Sequence, residues 1–130
     1  MSFIIIGDES FNSDAIKVVQ RVKIGDNYAV QFYVNIGDIG KLFELPFSDL
    51  LMKDANASKI AYRFIVNCLA HKQGGVLDLE LLMNSLSKLY RETIKVYSES
   101  DVNLSDIQAL KDNVMKNYFT AINRLAESLL

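Results

Sequence analysis

The stretch IKVVQRVKIGDNYAVQFYVNIGDIGKLFELP, residues 16–46, decides the fold class. Its side chains alternate. Ile16, Val18, Val22 and Ile24 share one face of an expected strand, and Lys17, Arg21 and Lys23 share the other. After Gly25-Asp26-Asn27, the residues Tyr28, Val30, Phe32, Val34 and Ile36 again share a face. A three-residue turn would pair Ile24 with Tyr28, Val22 with Val30 and Val18 with Val34, placing both apolar faces on one side. A second turn at Gly37-Asp38 would pair Ile36 with Ile39, Phe32 with Phe43 and Val30 with Leu45. Pro46 lacks a ladder donor and ends the third strand.

The tripeptide Ile-Gly-Asp occurs at 6–8, 24–26 and 36–38. Glycine tolerates positive φ and aspartate bonds its own backbone, so each copy reads as a turn. The uneven spacing rules out a repeat architecture. The apolar run ending at Ile6 is expected to add a fourth strand at an edge.

Beyond Pro46 the period changes. Ser48 to Lys53 reads as a short helical turn and Asn56 to Lys72 as a helix. On that helix Ile60, Phe64 and Cys68 share a face, with Ala61, Ile65 and Leu69 beside them. Gly74-Gly75 ends it. Leu79 to Tyr97 carries an apolar stripe through Leu82, Met83, Leu86 and Tyr90. A last helix starts at Ser105, where Ser105-Asp106-Ile107-Gln108 fits a capping box, and continues through Val114, Tyr118, Ile122 and Leu125. These two helices are expected to form an antiparallel hairpin. The reading is an α+β fold: an antiparallel β-meander of three or four strands (1–46), then three main helices (47–130), in one domain.

Composition narrows the function. The chain has 130 residues and a formal charge of -2, which gives no general attraction for nucleic acid. Half the residues are hydrophobic, which argues against disorder. The single cysteine, Cys68, precludes an intramolecular disulfide and fits a reducing compartment. No run is long enough to span a membrane, and no targeting signal is legible. A cytoplasmic location is expected.

The search for chemistry returns little. Cys68 and His71 lie three apart on one helix, but Cys68 continues an apolar series and reads as a buried structural thiol. Asp78 reads as the cap of the second long helix and Glu80 as a first-turn acid. Residues 101–112 begin like a calcium loop but have Asp106 where glycine is required and Asp112 in place of glutamate. No nucleotide-binding glycine pattern is present. Neither a cofactor nor a metal site is expected.

The face opposite the expected apolar one holds the most suggestive feature. The register drawn above places Val19, Tyr33 and Leu42 in one row, beside Lys17 and Arg21. Apolar and aromatic residues rimmed by charge mark contact surfaces. The expectation is therefore a non-catalytic protein–protein interaction module: a regulator, inhibitor or adaptor acting by occlusion or scaffolding. A homodimer through the helices is a further option. Two other readings stay open: a small enzyme assembled from dispersed polar residues, and nucleic-acid binding through Lys17, Arg21, Lys23 and Tyr33.

Overall fold

The computed structural model describes residues 2–72, 74–98 and 107–129. Each Ile-Gly-Asp closes a two-residue hairpin loop. β1 (Phe3–Ile6) joins β2 (Glu9–Asn12) through Gly7-Asp8. β3 (Ile16–Ile24) joins β4 (Asn27–Ile36) through Gly25-Asp26, and β4 joins β5 (Ile39–Pro46) through Gly37-Asp38. The glycine holds φ near +61° in all three loops (61, 61 and 62°), a left-handed conformation at the first loop position that suits tight hairpins. Any side chain there would be strained.

The chain forms an α+β fold in which the antiparallel meander β3-β4-β5 precedes three helices. The second hairpin has the expected register: Ile36 faces Ile39, Phe32 faces Phe43 and Val30 faces Leu45. The first hairpin differs. Its loop has two residues, not three, so Ile24 pairs with Asn27, Val22 with Ala29 and Val19 with Phe32. This one-residue shift turns β3 over, placing Val19, Arg21 and Lys23 on the inner face with Val30 and Phe32. An irregularity between Ile16 and Val18 absorbs one residue and returns Ile16 to a position opposite Val34.

The first strand also differs from expectation. It does not extend the meander; it is the centre of a second sheet, ordered β2-β1-β6, in which β6 (Val76–Asp78) runs parallel to it. Three residues are too few to show a strand period in the sequence. The second sheet meets the meander through Phe11 stacked on Phe43 at 5.5 Å and through an ion pair between Lys41 and Glu9.

The helices complete the core. A 3-10 turn at Asp49–Lys53 buries Leu51 and leads into α1 (Ala55–His71). The α1 N-terminus is capped by Asp54, whose Oδ1 accepts from the Asn56 and Ala57 amides, both at 3.0 Å. Ala57, Ala61, Phe64, Ile65 and Cys68 are the buried stripe of α1. Gly74 and Gly75, both at φ 76°, turn the chain into β6. Asp78 then caps α2 (Leu79–Ser98) by accepting from the Glu80 and Leu81 amides.

α3 (Ile107–Leu129) runs antiparallel to α2: Ile94 shares a cleft with Val114, and Ser85 shares a groove with Leu125. Tyr118 and Ile122 of α3 are buried, and the Tyr118 hydroxyl donates to the Leu86 carbonyl at 2.9 Å. The central part of the α3 apolar stripe is thus used within the chain. Ser105 and Asp106 of the capping box and residues 101–106 of the calcium-like segment lie outside the described residues.

Three protonated groups make this core sensitive to alkali. Burial pushes the Cys68 thiol up from 9.0 to about 11, with Lys72 opposing. Burial also raises Tyr90, helped by its bond to Asp54, and raises Tyr118, helped by Tyr90. A raised folded-state pKa stabilises below the unfolded value and loses that contribution as pH rises through the folded one. For Cys68 the loss starts near pH 9 and is complete above about 11. The two tyrosines act in the same direction from about pH 10 upward. Urea titrations should show a midpoint that falls between pH 8.5 and 11. Cys68→Ala should remove the earliest part of that fall, on the order of 2 kcal/mol. An unchanged pH profile in that variant would contradict the assignment to the thiol.

Candidate interaction surface

The outer face of the meander is the side turned away from Phe32. Its centre is a polar ladder across three strands: Gln20 Nε2 donates to Gln31 Oε1, and Gln31 Nε2 donates to Glu44 Oε2, each at 2.8 Å. On one side of the ladder lies an apolar row, Val18, Tyr33 and Leu42, with exposures of 46, 42 and 47%. On the other side Val22, Ala29 and Pro46 align across the same strands, and Ile24 continues beyond them, also half exposed. The exposed apolar side chains of this face thus lie on either side of a hydrogen-bonded polar row.

The expected contact row was Val19, Tyr33 and Leu42. Tyr33 and Leu42 do pair on the exposed face. Val19 does not join them; the one-residue register shift puts Val18 in its place. Val19 packs against the core, and its carbonyl accepts from the Tyr62 hydroxyl of α1 at 3.0 Å.

Arg21 also lies on the inner face. Its guanidinium donates to the Ala55 carbonyl at 2.6 Å and to the Ser58 hydroxyl at 2.8 Å, and it sits 4.7 Å above the Tyr28 ring. Here it joins β3 to the start of α1. Lys23 Nζ lies 5.8 Å from the centroid of the same Tyr28 ring. Lys17, at the irregularity in β3, donates to the Asp14 carbonyl. Arg21 and Lys23 therefore do not share a face with Tyr33, and the basic sheet face with a stacking ring is not assembled.

A three-residue first loop puts Val19 opposite Tyr33; the two-residue loop puts Val18 there. The sequence carries the signal: the same tripeptide forms a two-residue loop at Gly37-Asp38. Val18 also links the outer face to a crevice of about 250 Å³ between β3 and α1, lined by Ser13, Lys17, Val66 and Leu69.

Two other clefts lie among the helices. One, of about 300 Å³, opens beside Asp54, Tyr90, Ile94, Lys111 and Val114. Its polar feature is the Tyr90 hydroxyl donating to Asp54 Oδ2 at 2.6 Å. Both groups are already used, Asp54 as a helix cap and Tyr90 as a core residue in edge contact with Tyr118 at 5.0 Å. The other, about 400 Å³, is a shallow groove along α2 and α3 with Lys88, Glu92 and Arg124 at its rim. Cys68 is fully buried and His71 is exposed at the end of α1, so the two do not form a pair in one site. Among the described residues no three histidine, cysteine, aspartate or glutamate side chains are grouped as metal ligands, and no helix is long and apolar enough to cross a membrane.

Comparison of the chain with family models, curated proteins and solved structures gives no match. The functional reading therefore rests on the surface itself.

Proposed function

We propose that this protein works by binding another protein chain through the outer face of the meander, as a non-catalytic interaction module acting by occlusion or scaffolding. The observation that carries the reading is the Val18-Tyr33-Leu42 row, three large apolar side chains each more than two-fifths exposed and aligned across three strands. An aromatic anchor among aliphatic neighbours supplies the desolvation that drives association. A small adaptor, inhibitor or regulator needs no more machinery than this. The location that suits such a role, with a single buried thiol, is the cytoplasm.

A photo-crosslinking side chain tests the reading in cells. Placed at Leu42, it should give a discrete protein adduct. Placed at Lys59, an exposed position on α1, it should give none. Equal labelling from both positions, or no adduct from Leu42, would overturn the proposal.

A further inference from the structure

We infer that the open edge of β5 takes an extended segment of a partner protein as a further strand of the meander, with an apolar residue opposite Leu42 and a lysine or arginine opposite Glu44. The inference rests on the docking role proposed above and gives the partner its form.

The hairpin fixes which backbone groups face outward. Around a two-residue loop the flanking residues, here Ile36 and Ile39, exchange both of their hydrogen bonds, and every second pair along the ladder does the same. At the far end the Phe47 amide donates to the Tyr28 carbonyl at 3.1 Å, a pair of that same series. Ile39, Lys41, Phe43 and Leu45 therefore turn their N–H and C=O groups to β4. Those of Gly40, Leu42 and Glu44 point away from it, about 6.8 Å apart. These three residues are exposed, and their backbone groups are bonded to no other described residue.

The opposite edge of the same sheet is covered. There α1 lies against β3, the Tyr62 hydroxyl donates to the outward Val19 carbonyl, and the Arg21 guanidinium donates to the Ala55 carbonyl. β5 has no such cover, since its one neighbour in the sheet is β4. Nor does it carry the devices that blunt an exposed edge, such as a bulge, a proline within the strand or an outward lysine. Its register with β4 is unbroken, and Pro46 stands only at its end. Lys41 lies on the inner face, opposite the buried Val34, and its ammonium pairs with Glu9.

Such an edge sets the form of its occupant. Donors and acceptors that recur every second residue are matched by another extended backbone, so strand addition satisfies them where face-to-face packing does not. Side chains then select the sequence. Leu42 is 47% exposed and ends the Val18-Tyr33-Leu42 row, so an apolar residue opposite it covers it and continues the row. Two residues along, the Glu44 carboxylate accepts from Gln31 and remains exposed, where a basic side chain complements it. A second copy of β5 fits less well. Its outer-face residues Gly40, Leu42 and Glu44 include no cation, and Lys41 is already paired.

The probe is a phage-displayed library of random peptides, selected on the whole chain. Enriched peptides should share an apolar residue with a lysine or arginine two positions away. Bound peptide should slow exchange of the Leu42 and Glu44 amide hydrogens at least about tenfold, with Lys41 and Phe43 little changed because β4 already bonds them. Methyl groups on the peptide nitrogens that face β5 should abolish binding, whereas methyl groups on the intervening nitrogens should leave affinity within about twofold. Glu44→Lys should weaken binding about fivefold, as an attractive cross-strand pair becomes a repulsive one. The exchange and methylation readouts use the unaltered chain, so they do not depend on the folding of that variant. A library with no enriched peptide, or peptides indifferent to methylation, would overturn the inference. So would a free chain that light scattering finds at twice its monomer mass with these amides already protected, which would give the edge to a second copy. A protein captured from Leu42 whose binding leaves the Leu42 and Glu44 amides unprotected would overturn strand addition while sustaining the docking role. Absence of both adduct and peptide would remove the two together.

Discussion

Phe32→Ala should lose about 3–5 kcal/mol of stability, the usual cost of emptying a fully buried phenylalanine site. Phe32 is wholly buried on the inner face, paired with Val19 on one side and with Phe43 on the other. Phe43 in turn stacks on Phe11 of the second sheet, so the cavity would open where the two sheets meet. Domains of this size are stable by only about 5–15 kcal/mol, which makes the loss a large fraction of the whole. The adjacent residue provides the control. Tyr33 points to the opposite side, and Tyr33→Ala should cost less than about 1 kcal/mol in the monomer, a cross-strand pair contribution. Urea unfolding of both variants, measured where the chain is monomeric, checks the assignment of faces. Equal losses would mean that the two sides of β4 are not distinguished as described.

Asp54→Ala should be the next most damaging change, at about 2–4 kcal/mol. One carboxylate oxygen caps α1, and the other accepts from the Tyr90 hydroxyl. Loss of the cap accounts for about 1 kcal/mol. The remainder comes from leaving a buried hydroxyl without its acceptor, about 1–3 kcal/mol. Tyr90→Phe removes that hydroxyl. The double variant should therefore be more stable than the sum of the single losses predicts, by more than about 0.5 kcal/mol. Strict additivity would show that the two residues act independently. Asp54→Asn keeps a side-chain acceptor at the cap and should recover part of the loss.

The fold class was legible because the two periods in the sequence are clean. Alternation through Tyr28, Val30, Phe32, Val34 and Ile36 marks a strand, and Tyr118, Ile122 and Leu125 recur at helical spacing. The β4–β5 register was also legible, since a two-residue loop and the apolar pattern agree there. β3 was ambiguous for a physical reason. Val18 and Val19 are adjacent, and Val22 and Ile24 are apolar on the side that stays exposed. Pattern therefore favoured turning Arg21 outward, whereas α1 offers that guanidinium two oxygen acceptors inside. Tertiary contacts of this kind leave no mark on local periodicity. The same holds for β6, whose three residues are a strand only because β1 lies beside them. Two of the three residues of the exposed row, Tyr33 and Leu42, follow from the β4–β5 hairpin; Val18 depends on the β3–β4 one.

The parallel pairing of β1 with β6 also sets an order of assembly. The three Gly-Asp hairpins join neighbours in the chain, so little loop entropy opposes them. Phe3 opposite Val76 instead requires the whole meander and α1 to lie within a closed loop. That closure is favourable only once α1 has shortened the path and Gly74-Gly75 has turned it back, with the Ser2 hydroxyl bonded to the Lys72 carbonyl as the seal. On a ribosome β1 is made before the meander and α1, and its parallel partner β6 only after them. The apolar residues Ile4 and Ile6 of β1 remain uncovered until more than half of the chain has emerged.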